Sequence, residues 1–517
     1  MKPHLDWSAY DMQGIGDPYA GIPTRGGAYA KAVAVCIGSR QCQRTDRKGV
    51  MCPSFRITDD PLHSTRGRVE ALKTVLNGDA GTGPDDIDFA TPALAAAMDL
   101  CIGCKGCKKE CPNGVDMALL RTEWLAQRNA RDGVPRRARL FAQATHWFAR
   151  WPALGWLVGL RNRVPALAAL GERWLGISRA RALPVPSAHP LRADELRPPQ
   201  PPPQAHAAHH SPAAGEAEST SAGGSTDPGV ASPGRENPAT APGASSESPP
   251  DPTKAERTPA NAGENEVALF VDSFTATFEP DNARAALEVL RASGYRAHVL
   301  TPAEDDPTPS RPLCSGRAEL SSGLVAEARA EARRLLAALT PAIEAGTPIV
   351  GLEPSCVYML KDEFHSLGLG GDTDLAGLSR QVFLFEEFIA REHAAGRLKL
   401  ALRPPGPARV LVHGHCHQKA FGGMKPMKKA LALIPGIEVE FIEAGCCGMA
   451  GSFGIEAEHH AISLRMAEAD LLPAVRASSD DTRIVADGFS CRQQIRDGSG
   501  RNAVHAAVLL REALIEC

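Results

Sequence analysis

Two groups of cysteines near the start of the chain have spacings that suit iron better than any other ligand. Cys101, Cys104, Cys107 and Cys111-Pro112 form a C-x2-C-x2-C-x3-C-P run, and Cys36, Cys42 and Cys52-Pro53 form a looser group ahead of it. Three thiolates on one tight loop can cap three corners of an iron–sulfur cubane, while the fourth, turned away by its proline, serves a second cluster. Cross-ligation then assigns Cys101, Cys104, Cys107 and Cys52 to one [4Fe-4S] cluster. The other receives Cys36, Cys42 and Cys111. Ser39 stands where that set would carry its middle cysteine. The second cluster is therefore [3Fe-4S], or [4Fe-4S] with a non-cysteine fourth ligand, for which Ser39 and His63 are the candidates. His63 reads more readily as a capping or hydrogen-bonding group. Structural zinc also favours four thiolates, but it draws paired C-x2-C knuckles from separated places instead of one packed run.

The elements around these cysteines read as helices. Ser64-Thr65 caps a segment from Arg66 to Leu76, Pro92 opens Ala93 to Leu100 and so delivers Cys101, and Val115 to Arg131 is amphipathic up to Gly133. Residues 31–134 are thus expected to hold two clusters between helices, with residues 1–30 extended across them. Residues 135–185 carry Trp147, Trp151, Trp156 and Trp174 among many arginines. The favoured expectation is a helical extension that packs its tryptophans on the core, ahead of a docking face for a partner or a membrane surface. Residues 186–263 are dominated by Pro, Ala, Ser, Gly and Glu. Such a stretch cannot bury enough apolar surface to offset its ordering entropy, so it is expected to be a disordered tether.

Beyond residue 264 strands alternate with helices. Val267–Val271, His298–Leu300, Pro348–Leu352, Val410–Val412, Val439–Ile442 and Ile484–Ala486 read as strands, and 282–293, 321–345, 425–433, 458–476 and 502–515 as helices. This alternation implies an α/β architecture with a largely parallel sheet. Its halves, 264–400 and 401–517, align on their cysteines: Cys314-Ser315-Gly316 with Cys356, against Cys446-Cys447-Gly448 with Cys491. The second half adds Cys416 at a strand end. Adjacent cysteines before a glycine suit two thiolates gripping a cluster that backbone must approach closely. A third cluster is expected on Cys416, Cys446, Cys447 and Cys491, and no metal in the first half. His413, His415 and His417 invite a metal-ligand reading, but hydrogen bonding around that site or contact with a partner is the favoured expectation. His459 and His460 read as helix surface, Cys517 carries no assigned role, and Lys105, Lys108 and Lys109 either tune a cluster or form a solvated or partner-docking face.

The 517 residues carry 57 basic and 60 acidic side chains, a net charge of -3 that gives no reason to expect nucleic acid. The start, Met1-Lys2-Pro3-His4-Leu5-Asp6, does not read as a signal peptide, and the apolar stretch Trp151–Leu160 is too short to span a bilayer. Thiols in metal-ligand spacing then point to a reducing compartment. The expected location is cytoplasmic, or peripheral on the cytoplasmic face of the inner membrane.

Several motifs match a known group. Met51-Cys52-Pro53-Ser54-Phe55, His63-Ser64-Thr65-Arg66-Gly67-Arg68, the Cys101–Pro112 run with Val115-Asp116, His415-Cys416-His417-Gln418-Lys419, Gly445-Cys446-Cys447-Gly448-Met449-Ala450-Gly451 and Gly488-Phe489-Ser490-Cys491-Arg492-Gln493-Gln494 resemble the iron–sulfur half of FAD-linked D-2-hydroxyacid dehydrogenases. D-lactate and D-2-hydroxyglutarate are the usual substrates of that group. The cysteine module is also similar to the CCG domain found in heterodisulfide reductase and in the iron–sulfur subunits of glycolate oxidase and anaerobic glycerol-3-phosphate dehydrogenase. The resemblance implies an α-helical two-cluster ferredoxin domain joined by a disordered linker to a duplicated α/β CCG domain. It also implies an oxidoreductase component that passes electrons from a flavoprotein dehydrogenase subunit to a quinone or another carrier. No FAD domain precedes the cysteines here, so FAD is expected on the partner chain only. Met359 and Gln494 stand where the CCG pattern ends in cysteine. That leaves the five-cysteine set of a non-cubane cluster incomplete and favours electron relay over a heterodisulfide-reductase-like catalytic subunit. A non-catalytic Fe–S redox protein is the remaining alternative.

Overall fold

Helix starts and stops in the first part of the chain follow from capping chemistry. In the computed structural model, which describes residues 1–515 except 18, 45–48, 79–86, 152, 192–194, 196–264, 371–373 and 407, six helices surround the first cysteines. They are α1 (Gly27–Ala34), α2 (Pro53–Thr58), α3 (Thr65–Asn77), α4 (Pro92–Asp99), α5 (Gly106–Glu110) and α6 (Met117–Asp132). The Ser64 hydroxyl accepts from the Gly67 N–H at 3.1 Å, and left-handed Gly78 ends α3. The Asp116 carboxylate caps α6 by accepting from the Leu119 N–H. Val69, Leu72 and Leu76 of α3 pack with Leu94 and Met98 of α4 and with Leu120 and Trp124 of α6. The first residues lie on this bundle, as expected. They are pinned by the buried Glu123 carboxylate, which accepts from the backbone of His4 and Leu5 and from the Trp7 indole. They are not extended throughout, because α1 already begins at Gly27.

Three more helices follow: α7 (Arg136–Arg150), α8 (Leu154–Arg163) and α9 (Pro165–Leu175). The helical extension is present, but three of its four tryptophans do not pack on the core, and Trp147 alone is half-buried. Trp151, Trp156 and Trp174 are 56%, 67% and 74% exposed. The reason lies in α8, whose apolar residues run round the helix: Gly155 packs against Pro186, leaving Trp156 and Leu157 outside. Of the segment expected to be a tether, residues 186–191 are held in place. The Ser187 N–H donates to the Thr277 carbonyl, and Arg284 donates to the carbonyls of His189 and Pro190. Nearly all the rest lies outside the described residues.

The C-terminal part is α/β with two four-stranded parallel sheets. Strands β1 (Glu266–Phe270), β2 (Arg296–Val299), β3 (Ile349–Gly351) and β4 (Val382–Leu384) are ordered β2-β1-β3-β4. Strands β5 (Arg409–Val412), β6 (Glu438–Phe441), β7 (Arg483–Val485) and β8 (Ala503–Val504) are ordered β6-β5-β7-β8. Leu269 pairs with Val350 in one sheet and Leu411 with Ile484 in the other. The chain leaves β1 and β3, and likewise β5 and β7, in opposite directions, which opens a crevice at their C-terminal ends. Phe385, Phe388 and the helix Ala506–Glu512 fill a core shared by both sheets.

Short strands and breaks account for the departures from the sequence reading. β4 and β8 are too short to show a period. The expected helix 321–345 is two, Arg317–Ser321 and Val325–Glu344. Between them Gly323 has φ +73°, and any Cβ there would come within 2.5 Å of Leu125 in α6. The expected helix 458–476 also divides, into His460–Glu468 and Leu471–Ala477. Pro473 sits in the first turn of the second piece, where its missing N–H costs nothing. Among the described residues no helix is long and apolar enough to cross a membrane.

Candidate iron–sulfur centres

Cys52, Cys101, Cys104 and Cys107 line a single cavity, together with Pro53, Thr65, Arg68 and Met117. Left-handed backbone shapes the cage: Cys52 has φ 51° and Lys105 has φ 61°. Non-glycine residues accept that conformation only where the surroundings impose it. The Thr65 N–H, at the start of α3, donates to the Cys52 sulfur at 3.2 Å, and the next N–H, of Arg66, donates to the Cys42 sulfur at 3.4 Å. One helix N-terminus therefore serves both expected cysteine sets, favouring thiolate in each. Burial pushes the Cys107 thiol up to about 12. It pushes Cys104 well above the usual thiol range too, with Cys416 as the next cause. Thiols buried this deeply ionise only when a cation sits among them, which fits the residues to a metal cluster.

Cys36, Cys42 and Cys111 form a second, half-buried set, with Cys42 and Cys111 both acting on Cys36. Hydrogen bonding from Cys52 brings Cys42 down to about 6, with Ser64 contributing as well. Neither candidate for the fourth ligand is drawn to this set. Ser39 is exposed, and His63 is held by the Thr58 hydroxyl at 3.0 Å and by Asp60. Ser64, which the sequence presents only as a helix cap, is the hydroxyl beside Cys42.

Cys416, Cys446, Cys447 and Cys491 follow the C-terminal ends of β5, β6 and β7 and converge. Cys446 hydrogen-bonds Cys416 and Cys447, and Cys491 hydrogen-bonds Cys447. The ligand atoms of His413, Cys447 and Cys491 lie within 4.8 Å of one another. The Gly448 N–H donates to the Cys446 sulfur, and a side chain on Gly488 would come within 3.2 Å of the Cys491 sulfur. The Lys419 ammonium donates to the Gly445 carbonyl at 3.2 Å and acts on all four sulfurs. It sets a positive charge beside the four thiols, and that proximity was not legible from the motif. His415 caps the following helix through its Nδ1, which accepts from the His417 N–H. Burial, with Lys419 next, brings His413 down to about 4, so it is neutral.

The first and third sets meet. Cys416 is the strongest charge acting on Cys104, and the His417 Nε2 lies 3.2 Å from the Gly103 carbonyl. Beside this junction, the buried Lys105 ammonium contacts Asp116 at 2.8 Å, Asp362 at 2.9 Å and Glu363 at 3.2 Å. Lys105 is therefore no part of a docking face, and Lys108 is tied to Asp116 and Asp362; Lys109 alone of the three is exposed. His459 is likewise not helix surface. It is 6% exposed and lies between Asp99 of α4 and Glu456, which raise it to about 9 against the effect of burial.

In the first half the corresponding positions are differently furnished. Cys314 accepts from the Ser273 hydroxyl at 3.3 Å, and Asp272, Glu353 and Ser315 stand close to Cys356. Met359 and Gln494 are fully buried.

Residues 32–115 match the family described as "4Fe-4S dicluster domain". The chain is 26% identical to a subunit of the anaerobic glycerol-3-phosphate dehydrogenase of Escherichia coli K12 over 251 residues, 48% of this chain and 59% of that protein. It is 22% identical to the D-2-hydroxyglutarate dehydrogenase of Escherichia coli K12 over 515 residues, 93% of this chain and 43% of that protein. It is 24% identical to lactate utilization protein A of Bacillus velezensis over 198 residues, 37% of this chain and 75% of that protein. The chain thus spans about half the length of the first two relatives. It carries an iron–sulfur domain homologous to those of dehydrogenases and their subunits.

Proposed function

We propose that this iron–sulfur protein is the electron-transfer subunit of an FAD-dependent D-2-hydroxyacid dehydrogenase of the D-lactate, D-2-hydroxyglutarate or glycolate type. In this reading FAD resides on a flavoprotein partner, and a quinone or another carrier takes the electrons onward. Bound clusters supply one-electron carriers; the chain's own residues hold them, exclude water and set their potentials. Cys52, Cys101, Cys104 and Cys107 would hold one cluster, Cys36, Cys42 and Cys111 a [3Fe-4S] or [4Fe-4S] cluster, and Cys416, Cys446, Cys447 and Cys491 a third. Residues 31–134 and 135–185 act as the ferredoxin-type domain and its extension, and 186–263 as the linker. We read 264–400 and 401–517 as two copies of one CCG module, which the shared strand order supports.

The carrying observation is the junction at which Cys104 and Cys416 share one buried cluster and the His417 Nε2 lies 3.2 Å from the Gly103 carbonyl, which puts two thiol sets side by side from distant parts of the chain. A relay needs that adjacency, whereas a cluster that only stabilised the fold would not. The test is to co-express the chain with a flavin oxidase encoded beside its gene and to follow cluster bleaching on adding D-2-hydroxyacid. Bleaching that is lost in Cys104→Ser is expected. Substrate turnover by this chain alone would favour the catalytic CCG reading, and neither behaviour would leave a non-catalytic redox protein.

A further inference from the structure

The electron-transfer reading leaves unused one cluster of side chains, where α7 meets the first half of the α/β part. The His146 Nε2, the Cys314 sulfur and a Glu331 oxygen lie within 4.8 Å of one another. Glu319 Oε1 lies 3.7 Å from the same His146 nitrogen. Glu319 is 1% exposed, and neither of its carboxylate oxygens has a hydrogen-bond partner among the described residues. A buried carboxylate without donors is costly, and it points to a missing cation.

Arg311 supplies part of the needed charge. Its Nη1 lies 2.8 Å from a Glu331 oxygen and 2.9 Å from the His146 Nε2. One guanidinium facing two carboxylates leaves Glu319 uncompensated. The four candidate donors come from four separate places: α7, the residues just before Gly316, and the helices Arg317–Ser321 and Val325–Glu344. Phe148 packs edge-on against Phe278 along the same seam.

We propose that His146, Cys314, Glu319 and Glu331 bind one divalent cation of the zinc class, fastening the helical extension to the first half. Imidazole nitrogen, thiolate sulfur and carboxylate oxygen are the donors zinc takes, and four protein ligands close a structural site. On binding, Cys314 gives up its proton to solvent and Arg311 turns outward, its charge replaced by the metal. The site is separate from the cysteines that would hold iron, so this inference stands apart from the proposed function.

The test uses the full chain, purified without oxygen, equilibrated with zinc and then desalted over a weak chelator. Zinc and iron are counted by mass spectrometry, and the zinc edge is examined by X-ray absorption. The expected result is a single retained zinc with one sulfur and otherwise nitrogen and oxygen ligands. Its affinity should fall at least about tenfold in His146→Ala, Cys314→Ser and Glu319→Gln, with iron content unchanged. Arg311→Ala, which removes the competing guanidinium, should bind zinc more tightly. Because Glu319→Gln preserves shape and volume, it decides the matter even if Cys314→Ser fails to fold. The proposal is overturned if no zinc is retained, if Glu319→Gln and His146→Ala retain it with unaltered affinity, if Arg311→Ala binds no better, or if the edge shows sulfur ligands alone.

Discussion

The two sheets of the C-terminal part share one strand order and differ in what stands at the ends of their central strands. After β5, β6 and β7 the chain presents four buried thiols, a lysine and two glycines that admit close approach. After β1, β2 and β3 it presents Asp272, Glu353, Ser315 and two thiols, one of which accepts from the Ser273 hydroxyl. The same scaffold can therefore offer a soft-ligand cage or an acidic pocket, and the choice rests on a handful of residues at strand ends. The halves also hold the helical region differently. The first half uses Asp362 and Glu363 around Lys105, and the second uses His417 against Gly103 and His459 against Asp99.

The largest expected effect separates the two cysteine sets. Cys447→Ser should lower iron by about four atoms per chain, whereas Cys356→Ser should leave iron and acid-labile sulfide unaltered. Loss of iron from Cys356→Ser would mean that the first half also grips a cluster. The next effect concerns the clamp on the first half. Lys105→Met leaves three buried carboxylates, Asp116, Asp362 and Glu363, with only Lys108 and Arg317 against them and should cost about 3 kcal/mol, read as a lowered melting temperature.

The corresponding contact of the second half is sensitive to pH. His459 is raised to about 9 by its carboxylate partners, so its stabilising contribution is complete below its unfolded pKa, near 6.5, and fades as pH rises through about 9. After allowance for partial exposure, about 1–2 kcal/mol is at stake. His459→Gln should flatten the melting temperature between pH 7 and about 10, and a wild-type profile already flat there would contradict the assignment. The smallest expected effect is on potential. Lys419→Met removes a cation from beside four sulfurs and should lower one midpoint potential by an amount on the order of 50 mV, visible in a redox titration.

How much of this could be read from residues alone follows from how local each signal is. The Cys101–Cys111 run, the Ser64 cap and the Pro92 helix start act within a few positions, and all three stand where spacing put them. The parallel character of the C-terminal sheets followed from alternation, although β4 and β8 were invisible at three and two residues. The proximity of Cys104 to Cys416, the burial of Lys105 and the donor-free carboxylate of Glu319 are tertiary facts with no local trace. A lysine between two cysteines looks like a solvated charge until three carboxylates from distant segments close over it. The exposed tryptophans of α8 and α9 misled for the opposite reason, since apolar residues imply burial only when they share a face.

The central claim, that electrons cross from the N-terminal cysteines to those of the second half at the Cys104–Cys416 junction, is tested most directly by electron paramagnetic resonance of the dithionite-reduced chain. Reduced clusters at this junction should add spin–spin broadening to that of the N-terminal pair, and the added part should be lost in Cys447→Ser and persist in Cys356→Ser. Sharp, independent signals in the wild-type protein, unaltered by Cys447→Ser, would contradict it.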